Sequence, residues 1–169
     1  LMKKLNTPAK VQDILNTLPF NFENQGKIKR ETLTSPMMVL KTKNAHCMEG
    51  AMLAAAALRV NGFTPLVVDM TSNKKDFDHV VAVFKNNGYW GAISKTNHAV
   101  LKYRDPIFKN IRELVTSYFN EYFLNSGKKT LRSYTNPINL TKFDKFNWMT
   151  SEEDVWFVPE YLAKVKHIQ

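Results

Sequence analysis

One cysteine, four histidines and six glycines in 169 residues leave little room for several kinds of chemistry. A single Cys47 cannot close an internal disulfide, so no disulfide framework holds the fold and cysteine usage leaves the compartment open. The histidines and the cysteine lack metal-ligand spacing, His46 and Cys47 being adjacent rather than on one helical face. No Gly-rich phosphate loop is present either, and no metal or other cofactor is expected. The longest apolar stretch, Ala51 to Leu58, is far too short to cross a bilayer. Lys3 and Lys4 precede no apolar run of signal-peptide length. The expectation is a soluble, cytoplasmic protein that does not engage a membrane.

What is present can fill a core: 44% of residues are apolar and 12% aromatic, in a chain of single-domain size. No repeat, low-complexity tract or linker divides residues 1–169, which excludes disordered and fibrous classes. The net charge of +9 would suit an acidic partner, but the charges are spread along the chain and no aromatic-basic motif accompanies them. Lys27-Ile28-Lys29-Arg30 and Lys128-Lys129 are only small clusters. Nucleic acid is therefore not the expected partner.

The pattern gives helices at both ends and strands in the middle. Thr7 as N-cap, Pro8 at the first position and Val11, Ile14, Leu15 and Leu18 at helical spacing predict a first helix, stopped by Pro19. Residues 20–42 read as mostly loop with a short helix near Met37 to Leu40. Asn44 is placed to cap a buried Ala/Leu-rich helix that has His46 and Cys47 in its first turn and ends at Gly62. Leu66-Val67-Val68 predicts a buried strand, and His79 to Phe84, Asn86-Asn87-Gly88 and Tyr89 to Ile93 predict a hairpin. Asp105-Pro106 reads as the start of a helix carrying the stripe Ile107, Ile111, Leu114, Val115, Tyr118, Phe119, Tyr122 and Phe123 to Gly127. Residues 128–150 look irregular, and Ser151-Glu152-Glu153-Asp154 resembles a capping box before a last short helix. The order argues for an α+β fold, N-terminal helices packed on a central antiparallel sheet with C-terminal helices after it.

Chemistry concentrates at two positions. A thiol in the first turn of a helix feels the positive end of the helix dipole and unpaired backbone N–H groups, which favour the thiolate and can hold an oxyanion. Cys47 occupies such a place, although cysteine is also among the most buried residue types and packs without chemistry in many cores. His79, at the start of a strand after Asp76-Phe77-Asp78, is the candidate base that would take the thiol proton and return it to a leaving amine. His46 beside the cysteine is a weaker rival; His98 and His167 read as ordinary surface or core residues.

Asn44-Ala45-His46-Cys47-Met48-Glu49-Gly50-Ala51, the helix ending at Gly62, Asp78-His79-Val80-Val81-Ala82-Val83-Phe84 and Gly88-Tyr89-Trp90 resemble the core of the transglutaminase-like superfamily over roughly residues 40–97. The stretch Gly91 to Val100 with Tyr103-Arg104-Asp105-Pro106 is similar to a bacterial group within it. The resemblance implies a papain-like cysteine-protease fold, with residues 105–169 as a helical and irregular extension. It also implies a nucleophilic Cys47, a base at His79 and an acid after the hairpin return.

Here the sequence departs from that pattern, because Ser94 stands where the aspartate is expected. A two-residue turn at Asn87-Gly88 makes residues across the hairpin sum to about 175, which sets Ser94 one step from the partner of His79 on the same face. Ser94 can accept an imidazole N–H bond but carries no charge. Asn97 could orient the ring in its place, and Asp105 reads rather as an N-cap. Asn24 and Gln25 are oxyanion-donor candidates by residue type alone. The expected function is cysteine-dependent acyl transfer or hydrolysis on a peptide or side-chain amide through a thioester. The alternative is a catalytically degenerate domain that binds a protein or glycopeptide.

Overall fold

The computed structural model describes residues 1–23 and 30–169. After a 3-10 turn at Met2–Lys4 come helices α1 (Pro8–Thr17), α2 (Pro36–Thr42) and α3 (Cys47–Val60), then strands β1 (Leu66–Ser72), β2 (His79–Asn86), β3 (Tyr89–Ile93) and β4 (Arg104–Phe108). Helix α4 (Ile111–Phe119), strands β5 (Leu131–Thr135) and β6 (Ile138–Asn139), a 3-10 segment Leu140–Phe146, α5 (Phe157–Leu162) and β7 (His167–Ile168) follow. The architecture is α+β, as the order of elements predicts.

Helix α3 is apolar on every side between Glu49 in its first turn and Arg59 in its last, and every residue from Met48 to Leu58 is buried. Its alanines leave room for α1 and α2 to close over one side while β2 packs against the other, the arrangement expected of a helix with no polar face. Helix α1 begins as the sequence predicts, Thr7 Oγ1 accepting from Lys10 N at 3.3 Å behind Pro8.

The described strands form one antiparallel sheet in the order β4-β3-β2-β1-β5-β7, with β6 also on β1. The β2–β3 hairpin has the predicted register, Asn86 opposite Tyr89 and Ala82 opposite Ile93. Its turn residues Asn87 and Gly88 both have positive φ, 49° and 86°, the requirement of the tight turn that matches strand twist. Alternation divides the sheet between two cores. Val67, Val80, Ala82, Phe84 and Ile93 join the α3 side, whereas Val68, Met70, Val81, Val83 and Ala92 join Leu114, Val115 and Tyr118 of α4. Each large aliphatic side chain so buried contributes roughly 1.5–3 kcal/mol.

Four local expectations are corrected. Asp105-Pro106 does not open a helix: both lie in β4, and Asn110 caps α4, its side chain accepting from Glu113 N at 2.9 Å. β4 is an edge strand, where a proline removes no ladder bond that the sheet needs. Residues 128–150 are not merely irregular, since they supply β5 and β6. Ser151 bonds locally to Glu153 N and O and caps no helix, α5 starting at Phe157 without a side-chain cap. The N-cap of α3 is His46 rather than Asn44, whose side-chain oxygen accepts from Thr42 Oγ1. No helix among the described residues is long and apolar enough to cross a membrane.

Candidate active site

The shift of cap from Asn44 to His46 makes Cys47 the first residue of α3, at the mouth of the helix. The His46 ring accepts from Met48 N through Nδ1 at 3.2 Å and meets Thr32 O through Nε2 at 3.0 Å. Glu49 closes the reciprocal half of the capping box, accepting from His46 N at 3.0 Å. Cys47 N–H makes no hydrogen bond among the described residues, which leaves it aimed outward from the helix terminus.

Glu49 is fully buried, yet its carboxylate is met on all sides. It accepts from Asn21 Nδ2, Thr32 Oγ1, Thr34 N and Thr34 Oγ1 as well as from His46 N, at 2.9 to 3.2 Å. A buried charge so satisfied fixes the residues around it, here the segment around Asn21 and Thr32 to Thr34, against the start of the cysteine helix.

His79 is the first residue of β2 and 6% exposed. Its Nε2 lies 2.7 Å from Ser94 Oγ, and Ser94 Oγ lies 2.7 Å from Leu101 O. A carbonyl can only accept, so the serine hydroxyl donates to Leu101 and offers a lone pair to His79 Nε2–H. That fixes the tautomer and leaves Nδ1 free to face the sulfur. Ser94 is itself held by its backbone, giving its N–H to Gln12 Oε1 at 2.9 Å and taking Gln12 Nε2–H on its carbonyl at 2.8 Å.

The electrostatics follow from this arrangement. Burial is the largest single influence on Cys47 and disfavours the thiolate, but hydrogen bonds from His46 and His79 and the charge of the two rings together outweigh it. The thiol drops from the ordinary 9.0 to about 6. For His46, burial favours the neutral ring, and the bond to Cys47 with the Glu49 carboxylate overrides it, pushing the imidazole up to about 9. A proton on His46 Nδ1 excludes the bond from Met48 N, so thiolate and helix cap compete for one nitrogen.

Cys47 and His79 share a cleft of about 580 Å³ rimmed by Phe22, Phe77, Tyr122 and Phe123. Asn97 lies exposed on the same cleft and makes no hydrogen bond to the His79 ring among the described residues. Asp105 is exposed in β4. Asn24, Gln25, Lys27 and Lys29 fall outside the described residues. No group of three or more metal-ligating side chains occurs among the described residues.

A family described as a transglutaminase-like domain matches residues 2–115, about two thirds of the chain. The chain belongs to this family. No curated protein matches. Among the solved structures that do is one described as "a Putative Cysteine Protease from Cytophaga hutchinsonii", 15% identical with a TM-score of 0.40. The likeness covers 61% of this chain and 40% of that one, so the chain spans about two fifths of the length of that protein.

In this transglutaminase-like domain the sequence pattern brings Cys47, His79 and Ser94 to one place. Reading the sequence missed Gln12, Glu49 and Leu101. Glu49 carried a usable signal, an acid three residues after a cap position, which is half of a capping box. Gln12 sits among polar residues of an amphipathic helix and carried none, and Leu101 acts through its backbone oxygen alone.

Proposed function

We propose that this transglutaminase-like domain is a cysteine-dependent acyl-transfer enzyme or hydrolase acting on a peptide bond or side-chain amide. The observation that carries the reading is the thiol at the mouth of α3, lowered to about 6 and lying in an open cleft beside an imidazole whose far nitrogen is fixed by Ser94. Cys47 is the nucleophile and His79 the acid and base. Ser94 and Gln12 are positioning residues, and Asn97 is a further candidate for contact at the rim.

The Cys47 thiolate attacks the amide carbonyl carbon, and the Cys47 N–H at the helix terminus stabilises the oxyanion. The C–N bond breaks as His79 gives its proton to the departing nitrogen, leaving a thioester. Water or an amine then attacks the thioester, His79 takes the proton of the attacking group, and the thiolate leaves. His79 suits this role better than His46, because, against its burial, the bonds to Cys47 and Thr32 O and the Glu49 carboxylate push the His46 imidazole up to about 9 and keep its proton in place at neutral pH.

Iodoacetamide labelling of Cys47 at pH 7, followed by mass spectrometry with Cys47→Ala as blank, tests the centre. The expected rate is at least ten-fold that of glutathione and drops on His79→Ala. A rate equal to that of glutathione and indifferent to His79 would instead favour a binding domain without catalysis. With casein as acyl donor, ammonia release, new peptide termini and incorporation of a fluorescent amine distinguish deamidation, proteolysis and amine transfer.

A further inference from the structure

Past His46 the cleft continues into a second cavity of about 660 Å³, the two sharing Glu23, Glu31, His46 and Asp78 as lining. Much of its wall, including Ser133, Trp156, Leu162 and His167, comes from residues beyond the family match at 2–115. Apolar side chains of Met48, Val80, Trp156 and Leu162 form its sides. On its floor is Asp69, in the middle of β1 and 8% exposed.

The Asp69 carboxylate is only half satisfied. Its Oδ2 meets His167 Nε2 at 3.1 Å, and Oδ1 takes no hydrogen bond among the described residues. No described buried side-chain oxygen lacks a partner, so Oδ1 opens onto the solvent of the cavity. Four carboxylates, those of Glu23, Glu31, Asp69 and Asp78, line this cavity against two imidazoles, His46 near Glu23 and His167 on Asp69, and no Lys or Arg does among the described residues, in a chain with a net charge of +9. An apolar shaft ending in an undersolvated carboxylate fits an aliphatic stem with a cationic head. Burial pushes the Asp69 carboxyl up, the direction a bound cation would reverse.

We infer that this cavity is a specificity pocket that receives a lysine or arginine side chain of the substrate, with Asp69 as its counter-charge and Trp156 as one wall. The inference rests on the reading of Cys47 as nucleophile, because the pocket is the continuation of the cleft that holds the sulfur. Reaction at Cys47 would then select amides close in sequence to a basic residue.

The test uses pairs of peptidyl vinyl sulfones that differ only in arginine against citrulline, placed at either of the two positions before the electrophile. Labelling rates of Cys47 are divided by the iodoacetamide rate of the same protein. The arginine compound is expected to label at least ten-fold faster at one of the positions, and Asp69→Asn to bring the pair within two-fold. Equal rates at both positions, or a preference that survives Asp69→Asn, would overturn the pocket while fast iodoacetamide labelling upholds the nucleophile. Should Asp69→Asn fail to fold, Ser133→Lys introduces an ammonium into the same cavity and is expected to abolish the preference. If iodoacetamide labels no faster than glutathione, the catalytic reading fails separately. The pocket is then judged by tryptophan fluorescence, saturation by the arginine peptide amide alone supporting it and equal response to citrulline refuting it.

Discussion

Gln12 of α1 grips Ser94 by its main chain, one side-chain amide pairing with both the N–H and the carbonyl just past the end of β3. The amide takes the place of a neighbouring strand at a point where the β2–β3 ladder has stopped at Ala82 and Ile93. It sets the Ser94 hydroxyl between Leu101 O and His79 Nε2. Ser94→Ala removes one hydrogen bond from the imidazole, worth about 1 kcal/mol, and is expected to lower the acylation rate by about five- to ten-fold. Gln12→Ala should produce the same defect with a larger loss of stability, because it strands two buried backbone groups. Comparing single-turnover rates with urea midpoints for the two variants checks this.

The thiol lowered to about 6 sets the pH dependence. Nucleophilicity follows the thiolate, so the alkylation rate of Cys47 should rise through a midpoint near pH 6, when an unperturbed thiol would still be climbing near 9.0. At pH 7 about 90% of the sulfur is charged on that basis. His79→Ala withdraws a hydrogen bond and a positive charge from the thiolate and must move the midpoint upward. A profile measured with a neutral alkylating reagent from pH 4 to 10 reads both the midpoint and the sign of its shift.

His46 and His79 are separable when the burst of released amine is read beside the pH profile. His46→Asn keeps a capping side chain for α3 but removes the second imidazole from the sulfur. The midpoint should again rise, whereas proton delivery to the leaving amine, read as the burst of released amine in a single turnover, should survive. His79→Ala raises the midpoint as well but is expected to lose the burst.

Glu49→Ala is expected to be the most damaging of these substitutions to stability. It leaves five donors without their acceptor in a dry interior, and breaking a buried charged network of this kind costs about 3–5 kcal/mol. Glu49→Gln retains the shape and some acceptor capacity and should lose less. Chemical denaturation followed by far-UV circular dichroism gives the ranking.

Gly50→Ala tests the packing under the cysteine helix. A Cβ at position 50 would stand 2.2 Å from Lys95 Cβ and 2.8 Å from Lys95 Cγ. Lys95 cannot readily yield, because its ammonium hydrogen-bonds Leu15 O and Leu18 O at the end of α1. Overpacking of this kind costs about 1–3 kcal/mol, and a lowered melting temperature with shifted α1 amide resonances is the expected sign.

The elements legible in the sequence are those whose signals are local. Pro8 behind Thr7, the alanine run from Ala51 and the Asn87-Gly88 turn each specify their own backbone, and the hairpin register follows from the turn alone. The same register brings Ser94 to the side of His79. What escaped depends on distant partners. Asp105-Pro106 has the composition of a helix start and becomes an edge strand because β3 offers it a row of free backbone groups. Leu131 to Thr135 has little alternation of its own and is a strand because β1 lies beside it. Within the site, the pair Cys47 and His79 is marked by residue type and spacing, whereas Gln12 and Leu101 enter through main-chain bonds that no residue type announces.

A hydroxyl behind the imidazole also changes what the fold must tolerate. Ser94 is 1% exposed, and an ionised carboxylate sealed there would carry an effective desolvation penalty of several kcal/mol unless a cation followed it in. The neutral dipole needs only the Leu101 carbonyl. On the catalytic reading proposed above, the domain gives up some stabilisation of a charged ring during turnover, while the floor behind His79 can be dehydrated and packed like ordinary interior.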